Sequence, residues 1–251
     1  MSNNPIHQFH INTIAPFHIG GIDASFTNAS LFMVAGVGAA ALFMTQAMKP
    51  AALVPGRAQT AAETAYSFIQ NMVRDTSGEE GVRRFFPFVF TLFLFIFSAN
   101  MLGMFPYWFA TTSQIVITAS MALMVFATVI LVGLFKNGLG FFKIFVPSGV
   151  PWYILWFVVL IEIISFFSRP LSHSVRLWAN ILAGHLVIKV FASFIPMMAA
   201  AGFVGVIGSI FPLGLTVALY ALEFLVAFLQ AYVFAMLTCV YLNDALHPGG
   251  H

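Results

Sequence analysis

Two stretches in the second half of the chain, 151 to 194 and 203 to 243, are almost unbroken in apolar character. Each is about 40 residues long, and at about 1.5 Å per residue a helix of that length measures roughly 60 Å, twice the hydrocarbon thickness of a bilayer. Neither can stand upright in a membrane as one piece. Each must either divide into two spans or lie strongly tilted. Pro170 and Pro212 permit a kink, but no polar loop separates the halves, so the pattern favours a hairpin of two long tilted helices.

Three further apolar runs, 31 to 48, 85 to 110 and 114 to 135, approach or reach the roughly 20 residues needed to span. With 61% hydrophobic and only 7% charged residues, the chain reads as an all-α integral membrane protein with a single membrane domain over 1 to 251. A net charge of +2, scattered along the sequence, makes no nucleic-acid surface. Cys239 is the single cysteine, which excludes an intramolecular disulfide and argues against a cysteine-based metal site; it reads as a small core residue. Residues 1 to 30 lack Lys and Arg and a continuous apolar core, so they read as a polar external segment retained in the mature protein, not a cleavable signal. Between the first two spans, 58 to 75 carries apolar residues at helical spacing, as an amphipathic helix on the membrane surface or an ordinary loop helix would.

Basic residues orient the chain. There are none before Leu31, whereas Lys49, Arg57, Arg74, Arg83 and Arg84 lie in the first long loop, and Lys136 and Lys143 follow the third span. By the positive-inside rule the N-terminus faces outward and the C-terminus inward.

From Ile144 to Asn243 the formally charged residues are Glu162, Arg169, Arg176, Lys189 and Glu223. A charge at the centre of a span costs roughly 2.5 to 3.5 kcal/mol on insertion scales, so each is a functional candidate. At about 100° per residue, with Arg176 as zero, Glu162, Ser165, Arg169, Ser172, His173, Asn180, Ala183 and Gly184 fall at roughly +40°, −20°, +20°, −40°, +60°, +40°, −20° and +80°. This is one stripe of polar and small residues, suited to close approach by a neighbouring helix. His185 lies opposite. On the last stretch Tyr220, Ala227, Gln230, Tyr241 and Asp244 fall at roughly +60°, +40°, −20°, 0° and −60° from Glu223, a second polar track. Arg169 and Lys189 could serve only as interfacial anchors, and His173 could be a hydrogen-bonded core residue.

Two functions fit these residues. One is a proton conduit, in which a carboxylate and an imidazole pass protons while an arginine that keeps its proton forms a barrier. The other is a proton-coupled carrier binding an anionic substrate at Arg176. Such carriers show internal repeats, and none is visible here.

The segments "PLSHSVRLWANILAGHLV" and "ALEFLVAFLQAYVFAMLTCVYLNDA" closely resemble subunit a of F-type ATP synthases. "FPFVFTLFLFIFSANMLGMFPYWFATTSQI" resembles that family's Asn-Leu-x-Gly-x-x-Pro segment with its following Thr-rich helix, and "FTNASLFM" its first span. The resemblance implies a proton-translocating stator subunit in an energy-transducing membrane, bacterial plasma membrane or mitochondrial inner membrane. It implies that Arg176 faces the carboxylates of a c-subunit ring and separates two aqueous half-channels, with Asn180 and Gln230 lining the same contact. Glu162 matches an inner half-channel carboxylate, and His185 and Glu223 match the outer pair. Their order, His first and Glu second, is that of mitochondrial-type members and points to the alphaproteobacterial lineage or to a mitochondrial origin. Asp244 would extend the outer track, although it falls near the inner end. The implied partners are the c ring, b-type peripheral stalk subunits, the soluble ATPase sector, membrane lipid and protons. The chain has no Walker-type phosphate loop, nucleophile with an aligned base or metal cluster, so the expectation is a non-catalytic subunit without cofactors.

Overall fold

A computed structural model describes residues 11–16, 18–19, 22–23, 25–49, 54–105, 108–146 and 150–246. Residues 1–10 of the external segment and Pro106, which closes the Asn-Leu-x-Gly-x-x-Pro likeness, lie outside the described residues.

The described chain is almost wholly helical. Short antiparallel pairings come first: β1 (Thr13–Ala15) with β4 (Phe26–Thr27), and β2 (His18–Ile19) with β3 (Ile22–Asp23). Helix α1 (Asn28–Met48) follows directly. Its first turn is capped locally: the Asn28 side-chain oxygen accepts the Ala29 N–H at 2.9 Å and the Asn12 N–H at 3.1 Å, and Thr27 Oγ1 accepts the Ser30 N–H at 3.4 Å. These bonds satisfy amides that a helix start leaves open.

Helix α2 (Arg57–Gly103) is two helices joined at Gly78, whose φ of 67° and ψ of −173° suit glycine. The part before Gly78 buries Gln59, Ala62, Ile69, Val73 and Ser77, a spacing of three, seven or four residues that marks one helical face. That face meets protein: Tyr66, on its border, packs edge-on against Phe86 and Phe90, and Ser77 Oγ donates to the Cys239 carbonyl at 3.4 Å, while the exposed Phe68, off this face, meets Tyr232. Helix α3 (Ile115–Asn137) leads into a 3₁₀ helix, Gly138–Phe145, which carries Lys143.

Helix α4 (Trp152–Ala199) continues through Pro170 without a break. The following stretch divides at Ser209 into α5 (Phe203–Gly208) and α6 (Ile210–Leu246). Pro212 has no N–H to offer the Gly208 carbonyl and its ring crowds that group, which accounts for the interruption. Among the described residues five helical segments are long and apolar enough to cross a membrane, counting Phe203–Leu246 as one.

The chain forms two compact units. The first comprises Met1–Ala41, Phe95–Gln114 and Leu177–Ala231, and the second Leu42–Leu94, Ile115–Arg176 and Tyr232–His251. In the first, buried Asn100 donates to the Ala227 carbonyl at 3.1 Å and accepts from Thr112 Oγ1 at 2.8 Å. Since apolar burial does not drive helices together in lipid, such bonds, worth about 1 kcal/mol or less each, and close packing hold the unit. In the second, Asn137 Nδ2 donates to the Ala245 carbonyl at 2.7 Å, and Phe126 packs on Phe166 with ring centroids 4.9 Å apart.

Candidate functional site

Helix α4 has two unlike faces. Leu177, Ile181, His185 and Ile188 are buried, and their helical angles centre near about +130° from Arg176. Ser165, Ser172, Arg176, Asn180 and Ala183 are exposed. The small and polar stripe is therefore the uncovered face of this helix. Glu162, Arg169, Gly184 and Lys189 are half-buried. Arg176 forms no ion pair among the described residues. A guanidinium presented unpaired in the middle of a membrane helix calls for a carboxylate or water from outside the chain.

His173 departs from the rest of its stripe. At roughly +60° it sits where the stripe borders the buried face, and it turns inward. It is 4% exposed, packs against Phe234 with centroids 3.7 Å apart and lies 5.9 Å from the Tyr241 ring. Neither ring nitrogen has a hydrogen-bond partner among the described residues, so it is a core residue but not a hydrogen-bonded one. It lines a small cleft with Phe166, Arg169, Pro170 and Tyr241, whose free volume of about 10 Å³ is that of about one water.

The polar track of α6 is covered. Glu223, Ala227 and Gln230 are buried, and Tyr220, Tyr241 and Asp244 are half-buried. Two side-chain pairs join this track to α4. His185 Nε2 stands 3.5 Å from Glu223 Oε1, with the side chains 9% and 4% exposed. That separation exceeds hydrogen-bonding range, and neither Glu223 oxygen has a hydrogen-bond partner among the described residues. A buried carboxylate left so is costly and is satisfied only by water or an exchangeable proton. Gly184 makes the approach possible, because a Cβ there would stand 2.9 Å from Glu223 Oε1.

The second pair is Arg169 Nη1 with Asp244 Oδ2 at 2.9 Å, the side chains 24% and 13% exposed. The guanidinium also lies over the Tyr241 ring, 5.0 Å from its centroid, and 5.8 Å from that of Phe166. Asp244 is thus engaged by Arg169 within the second unit, whereas His185 and Glu223 belong to the first. Sequence reading did not foresee this partner. The signal was an Asp at the predicted inner end of one long helix and an Arg in the inner half of the other. Asn100 was noticed only within a family segment. A lone amide in an apolar run was the available sign of its interhelical bonds.

The geometry offers an exposed fixed cation, a buried imidazole–carboxylate pair and a charge-assisted clamp. Among the described residues no group of three or more His, Cys, Asp or Glu could hold a metal ion. A family model described as ATP synthase A chain matches residues 29–243. Proteins named ATP synthase subunit a from Allorhizobium ampelinum, Rhizobium etli and Rhizobium meliloti are each 59% identical over 251 residues, covering 100% of both chains.

Proposed function

This chain belongs to the ATP synthase A chain family, and from that premise we propose that it is the proton-translocating stator subunit of a rotary ATP synthase. In this reading Arg176 is the barrier between two half-channels and faces the carboxylates of a c-subunit ring. The observation that carries the proposal is the opposition along α4: Arg176 and Asn180 are exposed, while His185 is buried beside Glu223. One face meets a moving partner. The other holds groups that can exchange protons.

A proton enters from outside through His185 and Glu223 and neutralises a ring carboxylate. The neutral group turns away through lipid, since a neutral carboxyl no longer attracts Arg176 and no longer pays the cost of a charge in hydrocarbon. After nearly a full turn it releases its proton towards Glu162. Moving one charge through 100 mV supplies about 2.3 kcal/mol, which sets the scale of the work per proton. Arg176 cannot release its own proton, so it blocks direct passage between the two sides. Asn180 and Gln230 offer hydrogen bonds at the contact. His173, with its water-sized cleft, offers a foothold for water on the inward route, whereas Asp244 is held by Arg169.

The chain carries out no bond chemistry beyond proton transfer in this reading. It works in an energy-transducing membrane with its N-terminus outside, beside the c ring, b-type stalk subunits and a soluble ATPase sector. The test is ATP-driven and passive proton flux in inverted membrane vesicles, native against Arg176→Ala at matched assembly. Loss of driven pumping, with a passive leak once the soluble sector is stripped, is expected. Unchanged pumping would overturn the assignment of Arg176.

A further inference from the structure

We propose that the groove between α3, the Gly138–Phe145 helix and the first turns of α4 holds an acyl chain of an anionic phospholipid, with its phosphate on Lys143. The groove encloses about 330 Å³ and is lined without polar atoms by residues including Leu134, Phe141, Phe145, Ile163 and Phe167. Ordered water needs two to four polar partners, and this groove offers none.

Depth points to lipid. Trp152, Tyr153 and Trp156 open α4 and are 85%, 62% and 71% exposed. Exposed Trp and Tyr at a helix end mark the headgroup level of a bilayer. Ile163 and Phe167 follow Trp156 by 7 and 11 residues, which is about 10 and 16 Å along a helix. Half the hydrocarbon core is about 15 Å, and the tilt of so long a helix only reduces these depths, so the groove lies at acyl-chain depth.

Charge gives the headgroup. Lys136 is engaged by Glu80 at 3.0 Å. Lys143 is exposed, sits between the groove residues Phe142 and Phe145, and forms no ion pair among the described residues. Its long stem can run along the aromatic wall while the ammonium reaches a phosphate.

A partner seated on the Arg176 stripe does not fill this groove. On α4, Ile163 and Phe167 fall at roughly +140° and 180° from Arg176, facing away from that stripe.

The test is quantitative mass spectrometry of phospholipid retained by the assembled complex, purified in mild detergent from its own membranes, in native, Ile163→Trp and Lys143→Glu forms. The native complex should retain at least one more anionic phospholipid than Ile163→Trp, which fills the groove. Lys143→Glu should retain that lipid about fivefold less well, the loss expected for one basic contact near a membrane surface. Equal retention in all three forms overturns the proposal, as does loss of a protein subunit in place of lipid from Ile163→Trp. Should Ile163→Trp not assemble, unchanged anionic-lipid retention in Lys143→Glu, an exposed position, overturns it alone.

Discussion

Among the described residues two nitrogen-base–carboxylate pairs join α4 to α6, and they are built to opposite specifications. His185 and Glu223 stand 3.5 Å apart, nearly sealed from the exterior, and the carboxylate has no hydrogen bond among the described residues. Arg169 and Asp244 are 2.9 Å apart, partly open, with the guanidinium against two aromatic rings. An imidazole changes charge in the physiological range, whereas a guanidinium does not. The loose pair can be loaded and emptied. The tight pair, built on a group that does not give up its proton, acts as a clamp. A carboxylate near a cation on a membrane helix is therefore not by itself a proton site; the partner's chemistry and the slack between them decide.

Arg176 belongs to neither pair, and its loss should be largest. Arg176→Ala is expected to reduce ATP-driven pumping to background in vesicles that retain the assembled complex. Arg176→Lys should fail similarly, because a desolvated lysine can lose its charge. Wild-type pumping by the lysine variant would show that any cation suffices.

Glu223→Gln comes next, with pumping down about 100-fold, the range of a lost general acid–base group. The exchange His185→Glu with Glu223→His should restore a large part of it, since either order supplies one carboxylate and one imidazole. No recovery would mean that packing, not proton exchange, governs the pair.

Gly184→Ala probes the slack directly. Its new methyl presses on the Glu223 carboxylate, so several-fold slower pumping with normal assembly is expected in the same vesicles. Wild-type rates would imply that Glu223 moves without consequence.

Asp244→Asn should have the smallest effect on transport, less than about twofold, and should show instead as lower thermal stability of the complex. A double-mutant cycle with Arg169→Gln should give a coupling of about 1–2 kcal/mol, between the values for exposed and buried pairs. Pumping as low as in Glu223→Gln would erase the distinction between the pairs.

The helical angles of α4 were legible because one helix has one period: Arg176 and Asn180 share a face and His185 opposes them. Hidden from that arithmetic was where the buried sector begins. His173 at roughly +60° reads as part of the polar stripe, yet α6 brings Phe234 and Tyr241 against it. Likewise Asp244 reads as an extension of the Glu223 track, but its nearest cation is on another helix, 75 residues away. The amphipathic 58 to 75 segment fits two readings by its spacing, and in the fold Tyr66 on its buried side meets Phe86 and Phe90.

Length, apolarity and the scarcity of charge by themselves determined an all-α membrane protein, and residue spacing alone determined that Arg176 and His185 face apart. These follow from the bilayer's thickness and the helix's fixed geometry, which act on any chain. Which polar stripe stays open, which histidine turns inward and which acid Arg169 holds were decided only by tertiary structure. A helix's spacing fixes the direction of each side chain, but the group waiting there is supplied by whichever helix packs alongside.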